Sequence, residues 1–157
     1  MTVKEFLDYL SQELNRSPRT VISYAEDLYA FEAYFLDKDE GLAWETIDTD
    51  IIRDWMESLV DKGNSPSSVA RRLSAVKGFF KFALAREFIS SDPAHAIRSP
   101  KRSRPLPQFL KENEINDLLD KQAWGDDFKG LRDRLIIMMF YETGVRLAEL
   151  VGMDDEA

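Results

Sequence analysis

"SPSSVARRLSAVKGFFKFALARE" (residues 65–87) is the stretch whose reading decides the fold. Ser65 followed by Pro66 reads as a helix start, because a serine hydroxyl accepts from a free first-turn amide and proline has no amide to leave unpaired. From there Val69, Leu73, Val76, Phe80, Ala83 and Leu84 recur at three- and four-residue spacings, which places them on one helical face. Phe79, Phe80 and Phe82 fall where core packing explains them better than base stacking. The opposite side carries Arg71, Ser74, Lys77 and Lys81, with Ser67 and Ser68 at its start and Arg72 bordering the stripe. Such a helix needs an apolar neighbour on one side and leaves a cationic face on the other.

Neighbours are supplied upstream. "SPRTVISYAEDLYAFEAYF" repeats the Ser-Pro opening at Ser17 and Pro18, with a stripe of Val21, Tyr24, Leu28, Phe31 and Phe35. Arg16, Arg19 and Thr20 mark its start with the same cationic and hydroxyl groups. A first helix is read from "TVKEFLDYLSQEL", with Thr2 as its cap and Val3, Phe6, Leu7, Leu10 and Leu14 as its apolar face. A third runs over about 48–62, burying Ile51, Ile52, Trp55 and Leu59 and stopping at Gly63. No stretch alternates long enough for a strand, so an all-α fold is expected, with four helices in a bundle.

After the bundle the composition changes. "SSDPAHAIRSPKRSRPLP" (90–107) holds four prolines along with Arg98, Lys101, Arg102 and Arg104, and reads as an extended linker. His95 within it reads as a linker residue rather than a ligand or base. We divide the chain into a bundle (1–97), a linker (98–107) and a second domain (108–157). That domain should hold helices over about 112–121 and 128–142. The second of these is apolar nearly all round from Leu135 to Tyr141 and is expected to be fully buried. Few residues remain to bury it, so the domain reads as incomplete.

Composition narrows the function. The chain has 157 residues, no cysteine and one histidine, His95. Disulfides and thiolate metal sites are excluded, and a histidine zinc site or serine triad is poorly supported. The N-terminus lacks a signal-peptide pattern, which gives an expectation of a cytoplasmic protein without a membrane partner. The net charge of −8 hides a segregation. Residues 1–63 carry 6 basic and 15 acidic side chains, residues 64–111 carry 10 and 2, and residues 112–157 carry 5 and 12. A basic middle between acidic flanks is a local electrostatic footprint of the kind nucleic acid selects.

The last motif is "YETGVRLAEL" (141–150). Read plainly, Gly144 ends one helix, and Arg146 and Glu149 pair at i, i+3 on the next. Thr143, Gly144, Arg146, Glu149 and Leu150 also match the Thr-Gly-x-Arg-x-x-Glu-Leu pattern of the tyrosine recombinases, the phage-integrase and Xer group. The second helix resembles that family's Thr-x-x-x-Tyr-x-x-Asp-Leu-x-x-Phe helix. "SSVARRLSAVKGFFKFA" resembles its DNA-facing helix, and "DPAHAIRSPKRSRPLPQFL" its linker into the catalytic domain. Two departures are Ala148, where a small hydroxyl residue is common, and Lys111, where a capping Ser or Thr is usual.

The resemblance implies a core-binding, SAM-like bundle joined to the first helices of a truncated mixed catalytic domain. It implies strand cleavage by a tyrosine hydroxyl through a 3′-phosphotyrosine, with no metal or nucleotide cofactor. Arg146 would clamp the reacting phosphate and Glu149 would orient it. Contacts to a duplex recombination site would come from Arg16, Arg19, Thr20, Ser67, Ser68, Arg71, Arg72, Ser74, Lys77, Lys81, Lys101, Arg102 and Arg104. Other recombinase subunits, identical or paralogous, would complete a tetramer on paired sites, for chromosome dimer resolution or integration. The eleven residues after Arg146 contain no lysine, histidine, arginine or tyrosine. Tyr141 is expected in the core. The chain therefore reads as a catalytically incomplete N-terminal fragment. A stand-alone helical DNA-binding regulator and a protein-interaction bundle are the alternative readings.

Overall fold

The computed structural model describes residues 1–101, 106, 109–121 and 124–153, with the side chain of residue 121 left aside. The chain divides into two compact units, Met1–Arg104 and Pro105–Ala157. Among the described residues all regular structure is helical.

The first unit is a bundle of α1 (Val3–Asp8), α2 (Pro18–Lys38), α3 (Thr49–Asp61) and α4 (Pro66–Ala85). Each start has a chemical cause. Thr2 and Glu5 form a reciprocal box, the Glu5 carboxylate accepting from the Thr2 amide at 2.7 Å and the Thr2 hydroxyl accepting from the Glu5 amide at 3.3 Å. Ser17 accepts from the Thr20 amide, Asp48 from those of Asp50 and Ile51, and Ser65 from that of Ser68. Gly63 takes φ +80° after α3, a left-handed conformation that suits glycine.

α2 packs most extensively on α4. The core is aromatic: Phe6, Phe31, Phe35, Trp55, Phe79 and Phe80 are nearly or fully removed from solvent. Trp44 and Ile47, in the α2–α3 connection, are buried with them, and the Trp44 and Phe79 rings lie 4.2 Å apart. Phe79, Phe80 and Phe82 are all core residues, as their spacing indicates.

Several expectations need correction. α1 runs on as a π-helix over Tyr9–Glu13, in which the Leu14 amide reaches back to the Tyr9 carbonyl. The wider register rotates Leu14 off the Val3–Phe6–Leu10 face, and it is exposed. Ile51 is only half-buried. Leu84 is exposed although Phe82 and Ala83 in the same turn are buried, so it lies off the core-facing side of α4.

The second unit contains α5 (Glu112–Lys121), α6 (Phe128–Thr143) and α7 (Leu147–Val151). Lys111 stands where a capping hydroxyl is usual, and Glu114 compensates by accepting from the Lys111 amide at 2.8 Å. Gly144 ends α6 at φ +64°. α6 is not buried: none of its residues is, and Leu135, Met138 and Tyr141 are exposed. Tyr141 is accordingly not a core residue. Ile115 is the one buried apolar residue among those described in this unit, so three short helices leave most of the α6 surface uncovered.

Candidate nucleic-acid interface and phosphate clamp

Asp27 sits inside the apolar stripe of α2, three residues after Tyr24 and four before Phe31, and is 3% exposed. A carboxylate there requires partners. Arg71 of α4 provides them end-on: Nη1 donates to Oδ2 at 2.5 Å and Nη2 to Oδ1 at 2.9 Å. Nη1 also donates to the Ser23 hydroxyl at 2.7 Å, one turn earlier on α2. Arg72 Nε lies 4.0 Å from Asp27 Oδ1 and has no hydrogen-bond partner among the described residues. Burial pushes the Asp27 carboxyl above its ordinary range, while the Arg71 hydrogen bond and then the Arg71 and Arg72 charges pull it back. One buried acid thus faces two guanidinium groups.

The residues expected to touch nucleic acid do not form one free strip. Arg71 is tied to Asp27 yet its side chain remains 48% exposed. Lys77 Nζ donates to the Ile97 carbonyl at 2.5 Å and so fastens the chain as it leaves the bundle. The Ser74 hydroxyl donates to the Ala70 carbonyl, and the Ser68 and Thr20 hydroxyls each pair with a capping serine, Ser65 and Ser17. Ser67, Arg19 and Lys101 are exposed. Arg16, Thr20 and Lys81 come together on a groove of about 690 Å³ that Tyr24 and Arg86 also line. Arg102 and Arg104 lie outside the described residues.

Sequence reading gave Asp27, Ser23 and Arg86 no role at the site. Asp27 carried a signal, being an acid at an apolar position of a helical stripe. Arg86 lies over the ring of Phe82, one turn earlier, and also pairs with Glu13 and covers the ring of Tyr9, two contacts with a distant segment that spacing does not reveal.

In the second unit Arg146 takes the N-cap position of α7. Glu149, three residues on, accepts from the Arg146 amide at 2.8 Å through Oε2 and from Arg146 Nη1 at 2.8 Å through Oε1. These bonds, the backbone one first, hold the Glu149 carboxyl below its ordinary range. The Arg146 side chain is 83% exposed. The Thr143 hydroxyl accepts from the Val145 amide at 3.2 Å, which fixes the turn around Gly144. The result is a guanidinium held at one nitrogen and open at the others, a geometry suited to an oxyanion.

Among the described residues no cluster of acidic or histidine side chains is arranged to hold a metal ion, and no helix is long and apolar enough to cross a membrane.

Comparison with known proteins places these features. Residues 3–87 match the model of the phage integrase N-terminal SAM-like domain. A protein of Natranaerobius thermophilus named tyrosine recombinase XerC is 39% identical over 150 residues, covering 96% of this chain and 50% of the relative. Proteins of the same name from a Mycobacterium strain and from Pseudomonas aeruginosa are 36% and 38% identical over 152 residues, covering 95% and 96% of this chain and 51% and 49% of the relatives. The chain therefore spans about half the length of the curated relatives it matches. A crystal structure of a lambda integrase dimer bound to a COC′ core site shares the fold, with a TM-score of 0.64 at 22% identity, covering 99% of this chain and 43% of that one. With the domain model spanning more than half of the sequence, the chain belongs to the phage-integrase family of tyrosine recombinases, of Xer-like type, and its helical bundle is that family's N-terminal SAM-like domain.

Proposed function

We propose that this chain is the DNA-binding and phosphate-clamping N-terminal portion of a site-specific recombinase that acts in the cytoplasm. The bundle (1–97) binds duplex DNA through its basic surface, and the linker (98–107) carries that contact toward the catalytic domain that begins at 108. Arg16, Arg19 and Lys81, which have no ion-pair partner among the described residues, serve as phosphate contacts. Arg146 clamps the scissile phosphate and Glu149 orients it. In the complete enzyme a tyrosine hydroxyl attacks phosphorus, the new phosphotyrosine bond replaces the bond to the 5′ oxygen, and that oxygen leaves as a hydroxyl. Charge grows on the nonbridging oxygens as this happens, where a fixed guanidinium stabilises it most. No metal enters this scheme. Further subunits, identical or paralogous, assemble with it as a tetramer on paired sites, for chromosome dimer resolution or integration.

The observation that supports this reading most is Arg146 itself: it is exposed, pinned by Glu149 at both backbone and side chain, and set in Thr143-Gly144-Val145-Arg146. A regulator or a protein-interaction bundle would use the capping contact but would leave the exposed guanidinium without a ligand. Gel shifts of this chain on duplex DNA test the binding half. Complexes at low salt are expected, and Arg16→Glu with Lys81→Glu should flatten the log–log salt dependence by roughly 0.9 per lost phosphate contact. An unchanged slope removes these residues from the interface.

A further inference from the structure

The Asp27–Arg71 pair is more than a brace between α2 and α4. A guanidinium has three edges. The end-on fork to Asp27 uses one hydrogen from each terminal nitrogen, and the Ser23 hydroxyl takes the second hydrogen of Nη1. What remains is Nε–H and the outer hydrogen of Nη2, two parallel donors along one side edge. No bond from Arg71 Nε is made among the described residues, and the side chain is 48% exposed. A brace alone needs no such edge, and an apolar pair of similar volume would hold the helices at least as well. Asp27, in contrast, is 3% exposed, so it fixes the guanidinium plane from beneath without competing at the surface. Arg72, whose Nε lies 4.0 Å from the same carboxylate, leaves the site with two positive charges over one negative.

We infer that Asp27 is a positioning residue for DNA recognition: it holds Arg71 so that the Nε–Nη2 edge faces a pair of acceptors on the duplex, either guanine O6 and N7 or two nonbridging oxygens of one phosphate. This rests on the reading that the chain binds duplex DNA. Either acceptor pair suits the fork, and a fork fixed in advance loses little freedom on binding. The inference has a sign that simple charge counting lacks. Removing an acid from a DNA-facing surface should tighten binding everywhere. Removing a positioning acid should instead erase one specific contact while general affinity holds or rises.

Interference mapping with the 157-residue chain tests this. Randomised duplexes retained by the unmodified chain at low salt are methylated at guanine N7 or ethylated at phosphates, then sorted again by binding. Arg71→Lys keeps the charge and a donor for Asp27 but loses the paired edge, and it should erase sensitivity at one position. Asp27→Asn should erase the same position and leave the others intact. Erasure on the methylated duplexes assigns a guanine, and on the ethylated duplexes a phosphate. Should Asp27→Asn fail to fold by circular dichroism, Asp27→Glu decides, since one extra methylene displaces the fork and should silence the same position. The inference is overturned if Arg71→Lys leaves the pattern whole, or if the folded Asp27 variant keeps the position that Arg71→Lys erases. Absence of any retained duplex for the unmodified chain would instead overturn the DNA-binding reading.

Discussion

Arg146 and Glu149 show what one capping pair does. Because Glu149 satisfies both the Arg146 amide and one guanidinium nitrogen, the arginine is oriented without being buried. In a recombinase carrying this sequence with its catalytic half, Arg146→Ala should lower strand cleavage on the order of 100- to 1000-fold, while site binding, spread over many contacts, stays near normal. Arg146→Lys should fail almost as badly, because an ammonium cannot supply parallel donors. Glu149→Gln should be milder. Single-turnover cleavage beside gel shifts separates these outcomes, and a cleavage loss that tracks a binding loss would argue against the clamp. The Glu149 carboxyl is held below its ordinary 4.5. Its stabilisation of the α7 start is therefore present above that value and lost as pH falls through the lower folded-state value. Following the Arg146 amide by NMR should give a titration midpoint below 4.5, and a midpoint at or above it would contradict the hydrogen bonds described.

At the scale of elements the two Ser-Pro starts are equivalent devices. Ser17→Ala and Ser65→Ala should each destabilise the bundle by about 1 kcal/mol, read as a lower denaturant midpoint at constant m-value. Phe79→Ala should cost about 3–5 kcal/mol, since its ring is fully buried against Phe6, Trp44 and Phe80. These elements were legible in the sequence for a local reason. Caps and three–four spacing are decided by residues within a turn or two of each other, so α2, α3 and α4 could be bounded from their caps and stripes. Long-range contacts are not written that way. Trp44 falls in no helical stripe, and its burial depends on Phe31, Phe35 and Phe79, which lie in two different helices. Arg71 looked like a free cation because the acid that ties it down is 44 positions away. Lys77 likewise has a partner that spacing does not show, the Ile97 carbonyl twenty positions on. The Arg146–Glu149 pair spans three residues, and so it could be read before any fold was known.

At the scale of the whole molecule, burial is unequally shared. The first unit encloses a continuous aromatic and aliphatic core, whereas the described part of the second buries Ile115 and leaves Leu131, Leu135, Met138 and Leu147 in contact with solvent. Apolar area removed from water contributes about 25 cal/mol per Å², so two units so unlike in burial should not open together. Native-state hydrogen exchange is the measurement that distinguishes them. Amides of Leu73, Val76 and Phe79 in α4 should exchange only through global opening, and their exchange free energies should fall with denaturant at the slope of unfolding. Amides of Leu135 and Met138 in α6 should exchange through local opening, with lower free energies and little denaturant dependence. The helical hydrogen bonds of α6 do not by themselves protect it, because a helix of 16 residues with no buried side chain is marginal in water. Equal protection in α4 and α6 at low protein concentration would mean that burial in the second unit is greater than the exposure of these side chains allows. Protection of α6 that rises with protein concentration would show that association between copies covers the face that Leu135, Met138 and Tyr141 leave open.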